Sequence, residues 1–230
     1  MGQIEVLTRR NYSELSKDEK RLLGELKTEK AWLEQAIIRR REVAEIVRKN
    51  SHLGRRFQER TFENYQQDKN QKAYDMCYAY AENFAGATFN NGKNSLMLFG
   101  SYGTGKTHLA AAIANYVIDV FGMPVMFDTW VGHLNELKAE FDGGKKEYAD
   151  KMKSVPLLII DDFGKEKPTE WNKEVLFDVI NARYERYLPV IITTNLTWNE
   201  VEKHIDDAVQ SRLIEICDSI QMSGEDMREQ

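Results

Sequence analysis

The amino-acid sequence predicts an α/β domain built on a five-stranded parallel sheet and preceded by an N-terminal helical arm. Short apolar runs without polar alternation, which are typical of strands buried on both faces, alternate with longer segments of helical periodicity. Strands are predicted at 96–99, 124–130, 155–161, 189–195 and 214–222. Helices are predicted between them at 106–121, 131–141, 171–187 and 200–213.

The arm is predicted to be one long helix over about 16–49. Ser16 followed by Glu19 is a candidate capping box, and the next apolar residues fall on one helical stripe. The stripe consists of Leu23, Leu26, Leu33, Ile37, Ala44 and Val47. Such a helix would be roughly 50 Å long. It cannot bury the stripe alone, so it folds back, packs on the next domain or meets a partner.

Charge divides the chain in a similar way. Residues 1–60 carry 15 Lys or Arg and 10 Asp or Glu, whereas the other 170 carry 17 and 27. This asymmetry predicts two modules with different partners, 1–54 and 55–230. A basic cluster near the boundary is interpreted as either a solvated helix face or a footprint for nucleic acid or an acidic partner. It comprises Arg39, Arg40, Arg41, Arg48, Lys49, Arg55 and Arg56.

Composition excludes several classes of protein. With 42% hydrophobic residues the chain is not a disordered tail, and a formal net charge of −5 excludes a uniformly basic nucleic-acid coat. Two cysteines, Cys77 and Cys217, are too few for a four-cysteine zinc site and are expected to be free thiols. Without an apolar run of membrane-spanning length or a secretory core, the sequence predicts a soluble cytoplasmic protein with no membrane partner.

The segment 100–107 matches the phosphate-binding pattern G-x-x-x-x-G-K-[ST] between a predicted strand and a predicted helix. Glycines let successive N–H groups point at phosphate oxygens, and the helix N-terminus favours the same anion. Lys106 is expected to reach the β- and γ-phosphates, and the Thr107 hydroxyl to ligate Mg²⁺. ATP and Mg²⁺ are therefore the predicted cofactors. The nucleotide is expected at Gly100, Ser101, Tyr102, Gly103, Thr104, Gly105, Lys106, Thr107 and His108.

Acidic and amide side chains follow two other predicted strands. Asp161 and Asp162 end an apolar run, where ligands of open α/β sheets bind. Asp161 is expected to hold Mg²⁺, and Asp162 is expected to orient or deprotonate the attacking water. The alternative interpretation is that both acids are solvated residues of a turn at the end of the strand. Asn195 either holds the same water from the opposite side or caps the next helix.

Six motifs in order carry a resemblance to a known family. They are RFQERTFENY at 56–65, GSYGTGKTHLA at 100–110, LLIIDDFG at 157–164, IITTN at 191–195, QSRL at 210–213 and GEDMR at 224–228. The segment from Arg56 to Arg228 resembles the ATPase domain of the DnaC/DnaI-type replicative helicase loaders, which are AAA+ proteins of the initiator clade.

The resemblance implies a role for each matching residue. Lys106 and Thr107 correspond to Walker A, Asp161 and Asp162 to Walker B, and Asn195 to sensor 1. Arg212, which alone would suggest a surface ion pair, is implied as an arginine finger acting across a subunit boundary. Arg228, which alone would suggest a frayed tail, is implied as sensor 2. The resemblance further implies an AAA+ P-loop core with no C-terminal lid.

A helical insertion used with single-stranded DNA would fall within 131–153. Its candidate contacts are Lys138, Lys145, Lys146, Lys151, Lys153, Phe141 and Tyr148, unless they form a solvated helix face. Two features depart from the family pattern. Asp162 stands where many AAA+ proteins have Glu, which predicts slow hydrolysis. The first 54 residues lack the cysteine-rich zinc region of some loaders, which suggests a shorter, metal-free arm.

The function predicted from these features is ATP-dependent loading of a hexameric replicative helicase onto single-stranded DNA, by copies that self-associate into a ring or spiral. One alternative is an IstB-like transposition ATPase that assembles on duplex DNA. Another is an ATP-gated adaptor with little hydrolysis. A P-loop nucleotide kinase is disfavoured, because no Arg-rich substrate lid is evident and Asn195 has no role in it.

Overall fold

The structure is a computed structural model that describes residues 15–51, 53–66, 70–85, 92–143 and 147–223. The chain divides into two compact units, 1–45 and 46–230. The division falls inside the first helix, whereas the predicted modules meet at residues 54 and 55. The predicted boundary concerns partners and stays a prediction.

The first unit contains most of a long helix, α1 (Lys17–Asn50). The predicted capping box is confirmed, because the Ser16 amide donates to Glu19 Oε2 at 2.8 Å and the Glu19 amide donates to Ser16 Oγ at 3.2 Å. The predicted helix over 16–49 is therefore confirmed. Several apolar side chains of α1 are exposed, among them Trp32, Leu33, Ile37 and Ile38.

The second unit is a five-stranded parallel sheet with helices between its strands. The strands are β1 (Ser95–Gly100), β2 (Val125–Thr129), β3 (Leu157–Phe163), β4 (Val190–Thr194) and β5 (Cys217–Met222). The helices are α2 (Arg55–Gln58), α3 (Gln71–Glu82), α4 (Lys106–Phe121), α5 (Trp130–Asp142), α6 (Glu147–Ser154), α7 (Glu170–Glu185), α8 (Trp198–Val201) and α9 (Asp207–Ile216). The spatial order of the strands is β2-β3-β4-β1-β5.

Burial explains why the strands read as uninterrupted apolar runs. Leu157, Leu158, Ile159 and Ile160 of β3 are all completely buried, as a central strand covered on both faces requires. Because the strands are parallel, the carboxyl ends of β1, β3 and β4 meet at one edge of the sheet. The predicted fold class is confirmed.

The single helix predicted over 200–213 is wrong. Thr197 and Glu200 form a capping box that starts α8, and the Asp206 carboxylate accepts the Val209 amide at 2.7 Å to start α9. Two N-terminal caps within ten residues produce two helices. Since α9 continues to Ile216, β5 begins at Cys217, later than predicted.

Both cysteine thiols and one arginine of the basic cluster have defined surroundings. Cys77 and Cys217 are free and buried, and burial raises the pKa of each. Arg48 pairs with Asp119 of α4 at 2.5 Å and also donates to Asn115, so this arginine is engaged within the second unit. Among the described residues, no helix is both long and apolar enough to cross a membrane.

Candidate nucleotide-binding site

The loop between β1 and α4 has the backbone conformation that the sequence pattern predicts. Gly100, Gly103 and Gly105 have φ angles of 150°, 74° and 90°, a region that favours glycine. A Cβ at Gly105 would lie 2.7 Å from a Tyr65 ring carbon, and one at Gly100 would lie 1.9 Å from the Met222 carbonyl oxygen. The curled loop therefore needs glycine at these two positions for conformation and for space.

Lys106 lies inside this loop and is only 5% exposed. Its Nζ donates to the carbonyl oxygens of Gly100 at 2.9 Å and Ser101 at 2.6 Å. A buried ammonium group needs acceptors, and here the loop's own carbonyls supply them. The ammonium group thus lies in the curl of the loop, where phosphate oxygens would be equally suitable acceptors.

Asp161 lies at the centre of a buried hydroxyl cluster. Its Oδ1 accepts hydrogen bonds from Thr107 Oγ1 at 2.8 Å and from Thr193 Oγ1 at 2.5 Å. The side chain is almost completely buried, which raises the pKa of Asp161 above its ordinary 3.8, and the nearby Asp162 charge adds to the rise. The hydrogen bonds from Thr193 and Thr107 oppose the rise. Hydroxyls carry no positive charge, so the cluster suits a divalent cation with oxygen ligands such as Mg²⁺.

Asp162 points elsewhere because the backbone changes direction between the two acids. Asp162 has a φ of 54°, and the register between β3 and β4 shifts between Ile160 and Phe163. Its amide donates to Thr193 Oγ1 at 3.0 Å, and its Oδ2 lies 2.5 Å from Lys165 Nζ. Thr193 therefore contacts both acids, and Lys165 pairs with the more exposed one.

Asn195 directly follows β4 at the same edge of the sheet. The N-cap residue of α8 is Thr197, so Asn195 does not cap that helix. Within the described part of the chain, the Asn195 side chain has no hydrogen-bond partner. Beside it, Thr194 Oγ1 donates to the Phe163 carbonyl at 2.7 Å and ties β4 to the end of β3.

His108 binds the motif at 56–65 to the loop. Its Nε2 donates to the Thr61 carbonyl at 2.9 Å, and its ring meets the Tyr65 ring at a centroid distance of 5.2 Å. Burial lowers the pKa of His108, which favours the neutral ring. Tyr65 and Asn70 each donate to the Thr104 carbonyl, at 3.5 and 3.4 Å. Residues Thr61, Tyr65 and Asn70, which precede the sheet, therefore support the P-loop through these contacts.

Arg212 contacts a different part of the unit. Its guanidinium carbon lies 5.4 Å from the Phe177 ring centroid and 5.5 Å from that of Tyr184, both on α7. Nη1 donates to the Ala208 carbonyl at 3.0 Å, whereas Nε is buried with no partner among the described residues. These contacts lie outside the Lys106 and Asp161 clusters. Arg228 and the predicted end of the chain without a lid fall outside the described residues.

The helices at 130–154 correct one of the DNA-contact expectations. Phe141 is 80% exposed, as a stacking residue would be. Tyr148 is buried, and its hydroxyl donates to His133 Nδ1 at 2.8 Å, so its expected role in stacking is wrong. Lys138 lies over the Trp171 ring at 5.1 Å. Lys145 and Lys146 fall outside the described residues.

Several residues at this edge were not predicted. Thr193, Thr194 and Lys165 are assigned no role by the motif alone, although two adjacent threonines ending a buried strand were a signal for hydroxyl contacts. In the sequence, Tyr65 is notable only as the last residue of the motif at 56–65, which is part of the resemblance to the loader family. Its contact with Thr104 depends on the tertiary fold.

The sheet order, the glycine loop around Lys106 and the Asp161 cluster define a P-loop nucleotide-binding protein of the AAA+ class. The chain belongs to the family described as IstB-like ATP binding protein, whose sequence model matches residues 9–230. The resemblance to DnaC/DnaI-type loaders is confirmed by similarity to named relatives.

Two curated relatives are from Bacillus subtilis. The chain is 31% identical over 189 residues to the uncharacterized protein YqaM, covering 78% of this chain and 59% of that protein. It is 30% identical over 149 residues to the replicative helicase loader DnaI, covering 58% of this chain and 47% of that protein. The chain thus spans about half to three fifths of the length of these relatives.

A crystal structure of the DnaC helicase loader matches the fold with a TM-score of 0.65 and 24% identity, over 74% of this chain and all of that one.

Proposed function

We propose that this chain is an ATPase that loads a hexameric replicative helicase onto single-stranded DNA in the cytoplasm. The observation that carries the ATPase part is the junction of Thr107, Asp161 and Thr193 beside the buried Lys106. Similarity to DnaI, a named replicative helicase loader, supports the loading part.

In this proposal the loop amides and Lys106 bind the triphosphate, with Lys106 exchanging its carbonyl partners for phosphate oxygens. Thr107 and Asp161 hold the magnesium ion, which neutralises phosphate charge when it is bound. Burial raises the pKa of Asp161, and a bound cation would favour the ionised carboxylate that this role needs.

Asp162 and Asn195 position the attacking water from the ends of β3 and β4. Asp162 must first part from Lys165, with which it pairs at 2.5 Å. That pairing and the short Asp side chain favour slow turnover. A turnover assay with DNA and helicase added tests this step, and no phosphate release under any of these conditions would instead identify an ATP-gated adaptor.

Arg212 acts on the site of a neighbouring copy, because its contacts with Phe177 and Tyr184 lie apart from the Lys106 loop of its own chain. A guanidinium supplied from an adjoining subunit neutralises charge on the transferring phosphoryl group. Copies arranged head to tail in a ring or spiral complete one another's sites.

The exposed apolar side chains of α1 bind the helicase in this proposal. Leu33→Glu places a charge on the predicted stripe and is expected to abolish capture of the host's replicative helicase by the full-length chain. Gln35→Glu, at an exposed position two residues further along, introduces the same charge on the opposite side of the helix and is the matched control. Equal binding by both variants would exclude the stripe.

Loading itself is tested on closed circular single-stranded DNA, onto which an intact helicase ring cannot thread. The full-length chain with ATP is expected to increase the amount of helicase that co-purifies with the circle, and Lys106→Ala is expected to eliminate the increase. If the wild-type chain neither binds the helicase nor increases its yield on the circle, the loading proposal fails.

The family match favours one second candidate, a transposition ATPase that assembles on duplex DNA. Fluorescence anisotropy with single-stranded and duplex oligonucleotides, each with ATP, separates the two functions. A loader is expected to prefer the single strand, with Phe141→Ala weakening that binding. A clear preference for duplex would favour the transposition function.

A further inference from the structure

A largely buried, hydrogen-bonded carboxylate–imidazole pair lies just beyond Asp161 and Asp162. Glu166 Oε1 accepts a hydrogen bond from His204 Nδ1 at 2.9 Å, and the two side chains are only 7% and 13% exposed. A carboxylate and an imidazole lose hydration when they are buried, and such pairs are often no more stabilising than apolar residues of similar size. The pair therefore calls for an explanation other than stability.

The second oxygen of Glu166 holds the turn that follows Asp162. Glu166 Oε2 accepts the Gly164 amide at 2.9 Å. Gly164 has a φ of 89°, and a Cβ there would lie 2.2 Å from Leu196 Cδ1, just after Asn195. Asp162 itself has a φ of 54°, which for a residue other than glycine persists only when its surroundings fix it. Glu166 is one of the groups that fix this turn.

His204 fixes the other end of the pair to a different element. It lies between α8 and the Asp206 cap of α9, and its amide donates to the Val201 carbonyl at 2.8 Å. The His204 ring also packs edge-on against Phe163 at a centroid distance of 5.9 Å. The pair thus connects the turn of Asp162 to the segment that leads into α9, the helix that carries Arg212.

We propose that Glu166 and His204 are positioning residues for ATP hydrolysis. Glu166 holds the peptide after Asp162 so that this carboxylate faces the attacking water, and His204 holds Glu166 at a fixed place relative to α9. Neither residue touches the nucleotide. This proposal rests on the proposed ATPase activity and deepens it. It connects Asp162, which positions water in a chain's own site, to α9, whose Arg212 acts on the site of the neighbouring copy.

The test separates turnover from nucleotide binding in the full-length protein. Glu166→Gln keeps the size of the side chain but replaces one acceptor oxygen with an NH2 group, so it cannot accept from both the Gly164 amide and His204 Nδ1, and His204→Leu removes the donor. Each is expected to lower kcat about 10-fold while the Kd for a fluorescent ATP analogue stays within about twofold, because only the geometry at the attacking water changes. The double variant is expected to be no slower than the slower single variant.

Two further variants distinguish positioning from a general loss of structure. His204→Asn can still donate near the place of Nδ1 and is expected to recover a large part of the lost kcat. Glu170→Gln, which changes a carboxylate whose side chain is 88% exposed, is the matched control and is expected to leave kcat unchanged.

Two results would overturn the positioning role. One is that Glu166→Gln and His204→Leu both turn over ATP as the wild type does. The other is that their loss of kcat is matched by an equal loss of ATP affinity. A wild-type chain that binds ATP but releases no phosphate overturns the ATPase proposal and the pair's role together, which distinguishes that failure from failure of the pair alone.

Discussion

Two buried charges lie at opposite ends of the sheet and have different kinds of partner. Arg183, which is completely buried, donates to the carbonyl oxygens of Met152, Val155 and Pro189, in the segments leading into β3 and β4. Asp161, at the carboxyl ends of the strands, accepts from two side-chain hydroxyls instead.

The hydrogen-bond partners of Arg183 and Asp161 indicate different roles for the two side chains. Burial lowers the pKa of Arg183 to about 9, so the guanidinium still carries its charge at neutral pH and donates to three carbonyl groups, of which that of Pro189 also accepts the Leu158 amide at 3.4 Å. Burial raises the pKa of Asp161, and a bound cation would favour its ionised form. A buried charge therefore suggests a ligand site when it lies among side-chain groups at the carboxyl ends of parallel strands, where ligands of open α/β sheets bind.

The largest expected effect on folding is at Arg183. Arg183→Met removes the donor to three carbonyl oxygens at a completely buried position, and we expect it to lower the free energy of unfolding by about 3–5 kcal/mol. Arg186→Met, at an exposed position three residues away, is the control and is expected to change it by less than about 0.5 kcal/mol. Urea denaturation measures both, and equal effects would contradict the structural role of Arg183.

Asp161→Asn is expected to show the opposite pattern, with turnover falling about 100-fold or more because the proposed metal ligand is lost. Folding should not suffer. Since the folded state raises the pKa of Asp161 above 3.8, the ionised carboxylate opposes folding at any pH above the folded pKa, and this opposition disappears below 3.8.

Without Mg²⁺, the unfolding free energy of Asp161→Asn should therefore equal or exceed that of the wild type at neutral pH. The difference should grow as pH rises through the folded pKa. Denaturation at a series of pH values measures it. If Asp161→Asn is less stable than the wild type at neutral pH and keeps its turnover, Asp161 has a structural role like that of Arg183, and the expected difference between the two residues is wrong.

The smallest expected difference is between two adjacent threonines that are equally buried. Thr193 donates to the Asp161 carboxylate, whereas Thr194 donates to the Phe163 carbonyl. Thr193→Val is expected to lower kcat about 10-fold. Thr194→Val is expected to lower the unfolding free energy by about 1–3 kcal/mol with a smaller change in kcat. Identical kcat in the two variants would show that the hydroxyl on Asp161 has no special role.

The sheet was predictable from the sequence because a strand buried on both faces leaves an uninterrupted apolar run, as in Leu157–Ile160. The P-loop was predictable because glycine spacing reports backbone conformation directly. The partners of Asp162 were not, since Thr193 reaches it through tertiary packing and Lys165, three residues further on, pairs with it across the turn that Asp162 starts. Helical periodicity alone joined α8 to α9, because it gave no weight to the cap at Asp206.

The central claim is that one chain supplies the nucleotide loop and an adjoining copy supplies Arg212. Mixing Lys106→Ala copies with Arg212→Ala copies tests it most directly, since only a mixed interface holds both intact residues. We expect each variant alone to be inactive and an equimolar mixture to recover about a quarter of wild-type turnover, from random pairing in a head-to-tail assembly. An Arg212→Ala variant that hydrolyses ATP like the wild type, or a mixture that stays inactive, would contradict the claim.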